Sequence, residues 1–423
     1  MFKSIKKFFT YSNKKKSIDN LRNIKKITPV AKIFDSIVMY SDESEIFYVG
    51  GCVRKCLNNE EIDDIDLTTN LTPDEVIDAL KKSGIEYYES GKKHGTITAK
   101  INDFKFEITT LREDLFTDGR HAEVKFTKEL KKDASRRDFT INSIYSNIDG
   151  DLFDPFDGKQ DLEKGIIRFI GDPNARIKED YLRILRYLRF FLNYSKTKHQ
   201  TEVKKKILQN IDGISKISKE RLLDEFKKII FSKGFLAIKK DEFSKKILAL
   251  IFPEFNQYDF INPNNQKLLE LIRKKDFILI LSAMMTKNMD ELKYFLFKYP
   301  LSNKDKNRIN FLIKKFDELS DKNFFKKENL MKLNYKVGKP ILLDLLNLKI
   351  LVSNKNQKLL EDTFRIVLKQ NVPIFPIKAE NLMKNYKLKE GKFLGTKLDE
   401  IEQYWIENNF KISNEEIKRL IHN

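Results

Sequence analysis

The sequence predicts an α+β protein: a head of mixed β-sheet with helices over residues 29–150, followed by an all-helical remainder. Two patterns carry this expectation. From Phe47 to Thr110, short apolar segments with two-residue alternation are separated by Gly- and Pro-containing turns, as strands require. After the Asp154-Pro155-Phe156-Asp157-Gly158 turn, which closes the head, apolar residues recur at helical spacing, and Pro253, Pro263, Pro300, Pro340, Pro373 and Pro376 punctuate successive helices.

Taken in order, Met1 to Lys26 is lysine-rich with Phe2, Ile5, Phe8 and Phe9 near its start, and residues 1–28 read as a basic leader, frayed onto the first helix. Pro29 to Tyr40 reads as a helix, apolar at Val30, Ile33, Phe34 and Ile37. The strand Phe47-Tyr48-Val49 runs into Gly50-Gly51, and a short helix opens at about Val53. Thr72-Pro73-Asp74-Glu75 combines a cap, a first-turn proline and a Glu three residues past the cap, so a helix starts there; it ends by Gly84. Strands follow at about Tyr87-Tyr88, Thr96–Ile101 and Phe104–Thr110. In the last, Phe104, Phe106 and Ile108 face one way and Lys105, Glu107 and Thr109 the other. Beyond the head, Leu182, Leu185 and Leu188 form the buried stripe of a helix whose opposite side carries Asp180, Arg183, Arg186 and Arg189 at steps of three. Helices at Gln266–Arg273, Met289–Phe297 and Asp399–Trp405 belong to the C-terminal half.

Composition narrows the function. At 423 residues the chain divides into two or three domains, and 33 Phe with abundant Leu and Ile supply a large core. A net charge of +19, from 81 Lys+Arg against 62 Asp+Glu, points to a polyanionic partner. Cys52 and Cys56 have no nearby His and form neither a zinc set nor a disulfide framework, which implies a reducing, cytoplasmic compartment. No apolar run approaches about 18 residues, so no membrane partner is expected.

The chemistry concentrates between Phe47 and Asn70. The glycines free the backbone for a tight turn, and N–H groups at the start of the next helix present partial positive charge, so Gly50, Gly51 and Arg54 make a phosphate seat. In an extended Asp64-Ile65-Asp66-Leu67 segment the two carboxylates share a face roughly 6.5 Å apart, a spacing suited to paired Mg²⁺ ions. Glu107 is a candidate third carboxylate. Either feature alone fits a solvated hairpin; the two together, in one strand–helix–strand unit, point to phosphate chemistry.

Gly50-Gly51-Cys52-Val53-Arg54 followed by Asp64-Ile65-Asp66-Leu67 resembles the first motif of the class II tRNA nucleotidyltransferases, the CCA-adding enzymes, and of the related bacterial poly(A) polymerases. That family has Asp where this chain has Lys55. Arg136-Arg137-Asp138-Phe139-Thr140-Ile141-Asn142 resembles the second motif, which implies that Arg137 and Asn142 meet the sugar and triphosphate. Arg112, Asp114 and Arg120 fall in a segment similar to the flexible loop that members use on changing from C to A addition; His121, in the same charged loop, reads as solvated. Glu179-Asp180 with Arg183 resembles the base-reading motif, with Arg186 and Arg189 supporting the nucleotide, and Ser215 to Leu223 also looks familial.

The base-reading role has a chemical basis. Cytosine and adenine each present an amino donor beside a ring-nitrogen acceptor, so an Asp–Arg pair fits both and leaves unpaired groups against uracil and guanine. The resemblance, spanning Tyr48 to Ser232, implies a nucleotidyltransferase head at 29–150, a neck with the base-reading helix at 151–232, and a helical, RNA-binding body and tail at 233–423. It further implies Mg²⁺ in a two-metal site on Asp64 and Asp66, CTP and ATP as substrates, and tRNA, through its acceptor arm and 3′ end, as partner. Three alternatives stand beside full CCA addition: poly(A) synthesis, a CC-only or A-only activity, and an RNA-binding protein without catalysis. Lys93-His94-Gly95-Thr96 resembles the CCA-adding side, and the chain lacks the Gly-Arg-Arg-Phe type of run that marks the polymerases.

Overall fold

The computed structural model describes residues 16–117, 122–255, 257–285, 289–316, 318, 322–353 and 356–422. The chain forms two compact units, Met1–Ile251 and Phe252–Asn423.

In the first unit, α1 (Lys16–Ile27) and α2 (Ala31–Val38) precede β1 (Ile46–Val49), α3 (Gly51–Leu57), β2 (Asp66–Thr69), α4 (Pro73–Lys82), β3 (Glu86–Tyr88), β4 (Thr96–Ile101) and β5 (Phe104–Thr110). The hairpin β6 (Arg112–Thr117) and β7 (Ala122–Phe126), helix α5 (Leu130–Ser135) and the short strands β8 (Tyr145–Ser146) and β9 (Leu152–Phe153) complete the α/β part. Among the described residues the main sheet runs β3-β4-β5-β2-β1-β8-β9, with β6–β7 as a separate ribbon. Among the described strands only β2 and β5 pair in parallel, in the register Asp66↔Glu107 and Leu67↔Ile108.

One face of this sheet is covered by the first four helices. Tyr48, Leu67, Ile97, Phe106 and Ile108 point into a core shared with Leu21, Ile24, Ile33, Phe34, Val53, Val76 and Leu80. The two-residue alternation that buries Leu67 and Ile108 therefore turns Asp66 and Glu107 to the opposite face. The capping box of α4 forms as its sequence requires, with Thr72 and Glu75 each accepting the other's backbone N–H. Two boundaries differ from the sequence expectation. Helix α3 opens at Gly51 rather than Val53, because Gly50 alone makes the turn. The stretch read as a frayed basic leader contains α1, whose Leu21 and Ile24 are fully buried and whose Arg22 and Lys25 bond Asp149; residues 1–15 lie outside the described set.

After β9 the first unit is helical: α6 (Gly158–Lys164), α7 (Pro173–Glu179), α8 (Arg183–Tyr194), α9 (Thr201–Gln209), α10 (Lys219–Ile230) and α11 (Glu242–Ile251). Leu182, Leu185 and Leu188 are buried, as their spacing predicts.

The second unit consists of helices α12 (Gln266–Lys274), α13 (Phe277–Met284), α14 (Met289–Lys298), α15 (Asn303–Phe316), α16 (Lys327–Val337), α17 (Lys339–Val352), α18 (Gln357–Lys369), α19 (Ala379–Tyr386), α20 (Lys392–Glu407) and α21 (Asn414–His422). Every residue of α13 is buried, and Arg308 ties Asp276 at its cap to Asp344 of α17. No described helix is long and apolar enough to cross a membrane.

Candidate active site

The glycine turn places the first groups. Gly50 sits at φ +69°, a backbone region that a side chain disfavours, and lets β1 reverse directly into α3. One turn later Arg54 is buried, its guanidinium 4.8 Å from the Phe190 ring and 5.3 Å from the Tyr194 ring. Its Nη1 donates to Asn142 Oδ1, and its buried Nε has no hydrogen-bond partner among the described residues.

The carboxylates stand beside this turn. Asp66 opens β2, and Glu107 is its register partner on β5. Asp64 precedes the strand and is exposed. Burial, then the neighbouring charges of Glu107 and Asp64, push the Asp66 carboxyl above its ordinary range, against the opposing pull of Arg137 and Arg54. Among the described residues no group of three or more His, Cys, Asp or Glu side chains is arranged to hold a metal ion, so Glu107 does not complete a ready-made cage. Lys55 pairs with Asp63 at 2.7 Å, tying α3 to the residue before Asp64.

The second arginine group is built on α5. Asp133, with no exposed side-chain surface, accepts from Arg136 through Oδ1 and from Arg137 and the Tyr145 hydroxyl through Oδ2. Burial alone would raise its pKa; Arg137 and Arg136 hold it down at about 2. Asp138 accepts from Asn142 Nδ2 and Phe139 N through Oδ1 and from Arg186 through Oδ2, which keeps it well below the usual carboxylate range despite its burial. Asn142 therefore has both ends engaged, its amide by Asp138 and its carbonyl oxygen by Arg54.

The base-reading residues require a correction. Asp180, Arg183, Arg186 and Arg189 do not share one helix: α7 ends at Glu179, Asp180 is extended at φ −152° and ψ 104°, and α8 begins at Arg183. The break arises because the Asp180 carboxylate accepts the Leu182 N–H at 3.1 Å, competing with continued helix. Gly213 keeps this junction in place, since a Cβ there would lie 2.0 Å from the Tyr181 ring. Nor do Asp180 and Arg183 pair with each other. Asp180 accepts from Arg221 on α10 at 2.7 Å, and Arg183 bonds Glu179. Arg189 bonds the buried Glu225 and lies 4.3 Å from the Phe190 ring.

These groups line one cavity of about 420 Å³. It brings Gly50, Gly51, Arg54 and Asp66 together with Arg137, Asn142, Asp180, Arg183, Arg186 and Arg189. Asp64 and Glu107 do not line it. Its six arginines outnumber its three aspartates, so the cavity suits a polyanion with one end that meets a carboxylate. Of the loop residues, Arg112 begins β6 and its Nη1 donates to the His94 carbonyl. Asp114 lies in β6 beside a bulge, with its side chain outside the described set, and Arg120 and His121 are outside it altogether.

Sequence reasoning missed Asp133 and Glu225, and it placed Asp138, Glu179 and Arg221 in motifs without their contacts to the site's arginines and Asp180. For Asp133 the available signal was its position three and four residues before Arg136 and Arg137 on a short helix.

Residues 46–168 match the "Poly A polymerase head domain" family, and residues 200–259 match the "Probable RNA and SrmB- binding site of polymerase A". The head is thus of the class that this head-domain family describes. The CCA-adding enzyme of Staphylococcus haemolyticus is 32% identical over 320 residues, covering 74% of this chain and 75% of that protein. The chain belongs to the family of the CCA-adding enzymes. Mitochondrial CCA tRNA nucleotidyltransferase 1 of Homo sapiens is 46% identical over 192 residues, 45% of this chain. That match covers 44% of the human protein, less than half its length. Among solved structures, the Bacillus stearothermophilus CCA-adding enzyme in complex with CTP superposes with a TM-score of 0.72 at 21% identity, covering 93% of this chain and 97% of that one. The Thermotoga maritima CCA-adding enzyme complexed with tRNA gives 0.63 at 18% identity, covering 97% and 98%.

Proposed function

We propose that this chain adds C, C and A to the 3′ end of tRNA without a nucleic-acid template, using CTP and ATP and releasing pyrophosphate. The observation that carries the reading is the single cavity lined at once by the glycine turn, Asp66 and the Asp180–Arg183 segment. Relatives complexed with CTP, ATP and tRNA support the choice of substrates and partner. A cytoplasmic, reducing setting suits the free, buried thiols of Cys52 and Cys56.

In this reading the Gly50–Gly51 turn, Arg54 and Arg137 hold the triphosphate while Asp180 accepts from the amino group of the base and Arg183 donates to its ring nitrogen or carbonyl. Arg186 and Arg189, anchored on Asp138 and Glu225, keep positive charge along the nucleotide. The RNA 3′-hydroxyl oxygen bonds to the α-phosphorus, its proton passes to solvent, and the bond to the bridging oxygen breaks as pyrophosphate leaves along the glycine turn. Positioning and charge neutralisation supply most of the rate. Asp66 and Asp64 would hold Mg²⁺: both offer hard oxygen donors, and a cation would offset the burial and the repulsion from Glu107 and Asp64 that raise the Asp66 carboxyl. When bound in a two-metal site, the ions supply positive charge to the attacking and leaving oxygens.

Poly(A) addition is the second reading, favoured by the family to which the head is matched. Extension of a tRNA lacking its 3′ CCA, with CTP and ATP separately and together, tests both: three added residues support CCA addition and a long A tail supports the alternative.

A further inference from the structure

We infer that Asp133 is a positioning residue that aims Arg137 at the phosphate seat and ties that aim to the root of the β6–β7 hairpin. The inference rests on the proposed triphosphate role of Arg137. The carboxylate accepts five hydrogen bonds from four residues. Its Oδ1 accepts from Arg136 Nε at 2.8 Å and from the backbone N–H of Arg112, the first residue of β6, at 3.3 Å. Its Oδ2 accepts from Arg137 Nη2 at 3.0 Å and Nε at 3.2 Å, and from the Tyr145 hydroxyl at 2.7 Å.

The consequence for Arg137 follows from the geometry of a guanidinium fork. Nε and Nη2 are both spent on Asp133, which fixes the plane and leaves Nη1 as the remaining nitrogen. That Nη1 lies 3.5 Å from where a Cβ on Gly50 would stand, so the free end of the fork is presented at the glycine turn. The plane is fixed from behind as well: the guanidinium lies 5.3 Å from the Tyr145 ring. Arg136 is held by the other oxygen, so one buried anion orients two cations and leaves net positive charge facing the cavity both line.

The same oxygen that orients Arg136 also holds the Arg112 N–H, and Arg112 reaches the His94 carbonyl through its side chain. The hairpin root and the arginine pair thus share one anchor. An amide in place of the carboxylate turns a donor toward one of the two guanidiniums and removes the charge that holds both.

The test compares Asp133→Asn, Arg137→Met and the double variant in tRNA extension, with CTP and CMP binding measured at equilibrium and folding monitored by thermal melting. Asp133→Asn is expected to raise KM for CTP and ATP by about tenfold, leave the CTP-over-UTP preference unchanged, and leave CMP binding, which lacks the outer phosphates, within about twofold. In KM for CTP the double variant is expected to be no worse than Arg137→Met within about twofold, because the hold of Asp133 on the outer phosphates acts through Arg137, with Arg136 secondary to that effect. A KM unchanged in Asp133→Asn, losses that multiply in the double variant, or CTP and CMP binding lost together overturns the inference. If Arg137→Met leaves CTP binding intact, the triphosphate reading of Arg137 fails first and this inference with it. Should Asp133→Asn not fold, Tyr145→Phe deletes only the hydroxyl shared by Asp133 and Arg137; it is expected to raise KM for CTP about threefold, and an unchanged KM overturns the inference.

Discussion

The Asp180 carboxylate is held by Arg221, 2.7 Å away on α10, and not by Arg183 three residues along the chain. In the proposed scheme the acid that accepts the base's amino group is therefore steered from a different helix. Arg221→Met is expected to lower CTP-over-UTP discrimination by about tenfold or more, since an unsteered carboxylate no longer enforces the acceptor pattern. Competition between CTP and UTP for the first added position measures it, and unchanged discrimination refutes the steering role.

Asp66 carries a conflict between stability and activity. Its folded pKa lies above the ordinary 3.8, so the stability it contributes is present below pH 3.8 and lost as the pH rises through the raised value. Asp66→Asn, which mimics the protonated form, is expected to melt at a higher temperature than the native chain at pH 7, with the difference shrinking toward pH 4. Extension activity falls by roughly three orders of magnitude, the scale of several kcal/mol of lost charge stabilisation. Added Mg²⁺ is expected to raise the melting temperature of the native chain and not of Asp66→Asn.

Asp133 has the opposite sign. Its pKa of about 2 lies below the ordinary 3.8, so its contribution is present above pH 3.8 and lost as the pH falls toward 2. Asp133→Asn is expected to cost about 2 kcal/mol at pH 7 and to flatten the loss of stability between pH 4 and 2. Urea melts across that interval measure both.

Gly50→Ala isolates the turn. A Cβ there meets Arg137 Nη1 at 3.5 Å and the Asn142 carbonyl at 3.8 Å, ordinary contacts, so the penalty is the backbone at φ +69°. About 1–2 kcal/mol of destabilisation is expected, with KM for CTP raised as the turn and Arg137 shift. A variant with native stability and KM contradicts the phosphate-seat account.

The head was legible because its signals are local. Alternation in Phe104–Thr110 fixed which side of β5 is buried, and the Thr72–Glu75 cap fixed the start of α4. The Gly50-Gly51 turn is likewise written in neighbouring residues, whereas the expected Asp64–Asp66 strand face is met only at Asp66, which opens β2, while Asp64 precedes the strand. What escaped were contacts between distant segments. The Arg189–Glu225 and Arg186–Asp138 pairs join residues far apart in sequence, and no periodicity announces them. The break at Asp180 escaped for another reason: the stripe Leu182, Leu185, Leu188 continues a helical rhythm upstream, while the carboxylate's bond to the Leu182 N–H ends it.

The central claim is that one cavity both joins nucleotides and chooses them. Its most direct measurement is the extension of tRNA lacking CCA by the purified chain with CTP, ATP and UTP at equal concentration. The account predicts exactly the sequence C, C, A, stopping there, with addition abolished in Asp66→Asn and UTP admitted in Asp180→Ala. Uridine incorporated by the native chain as readily as cytidine, or A residues added without limit, contradicts it.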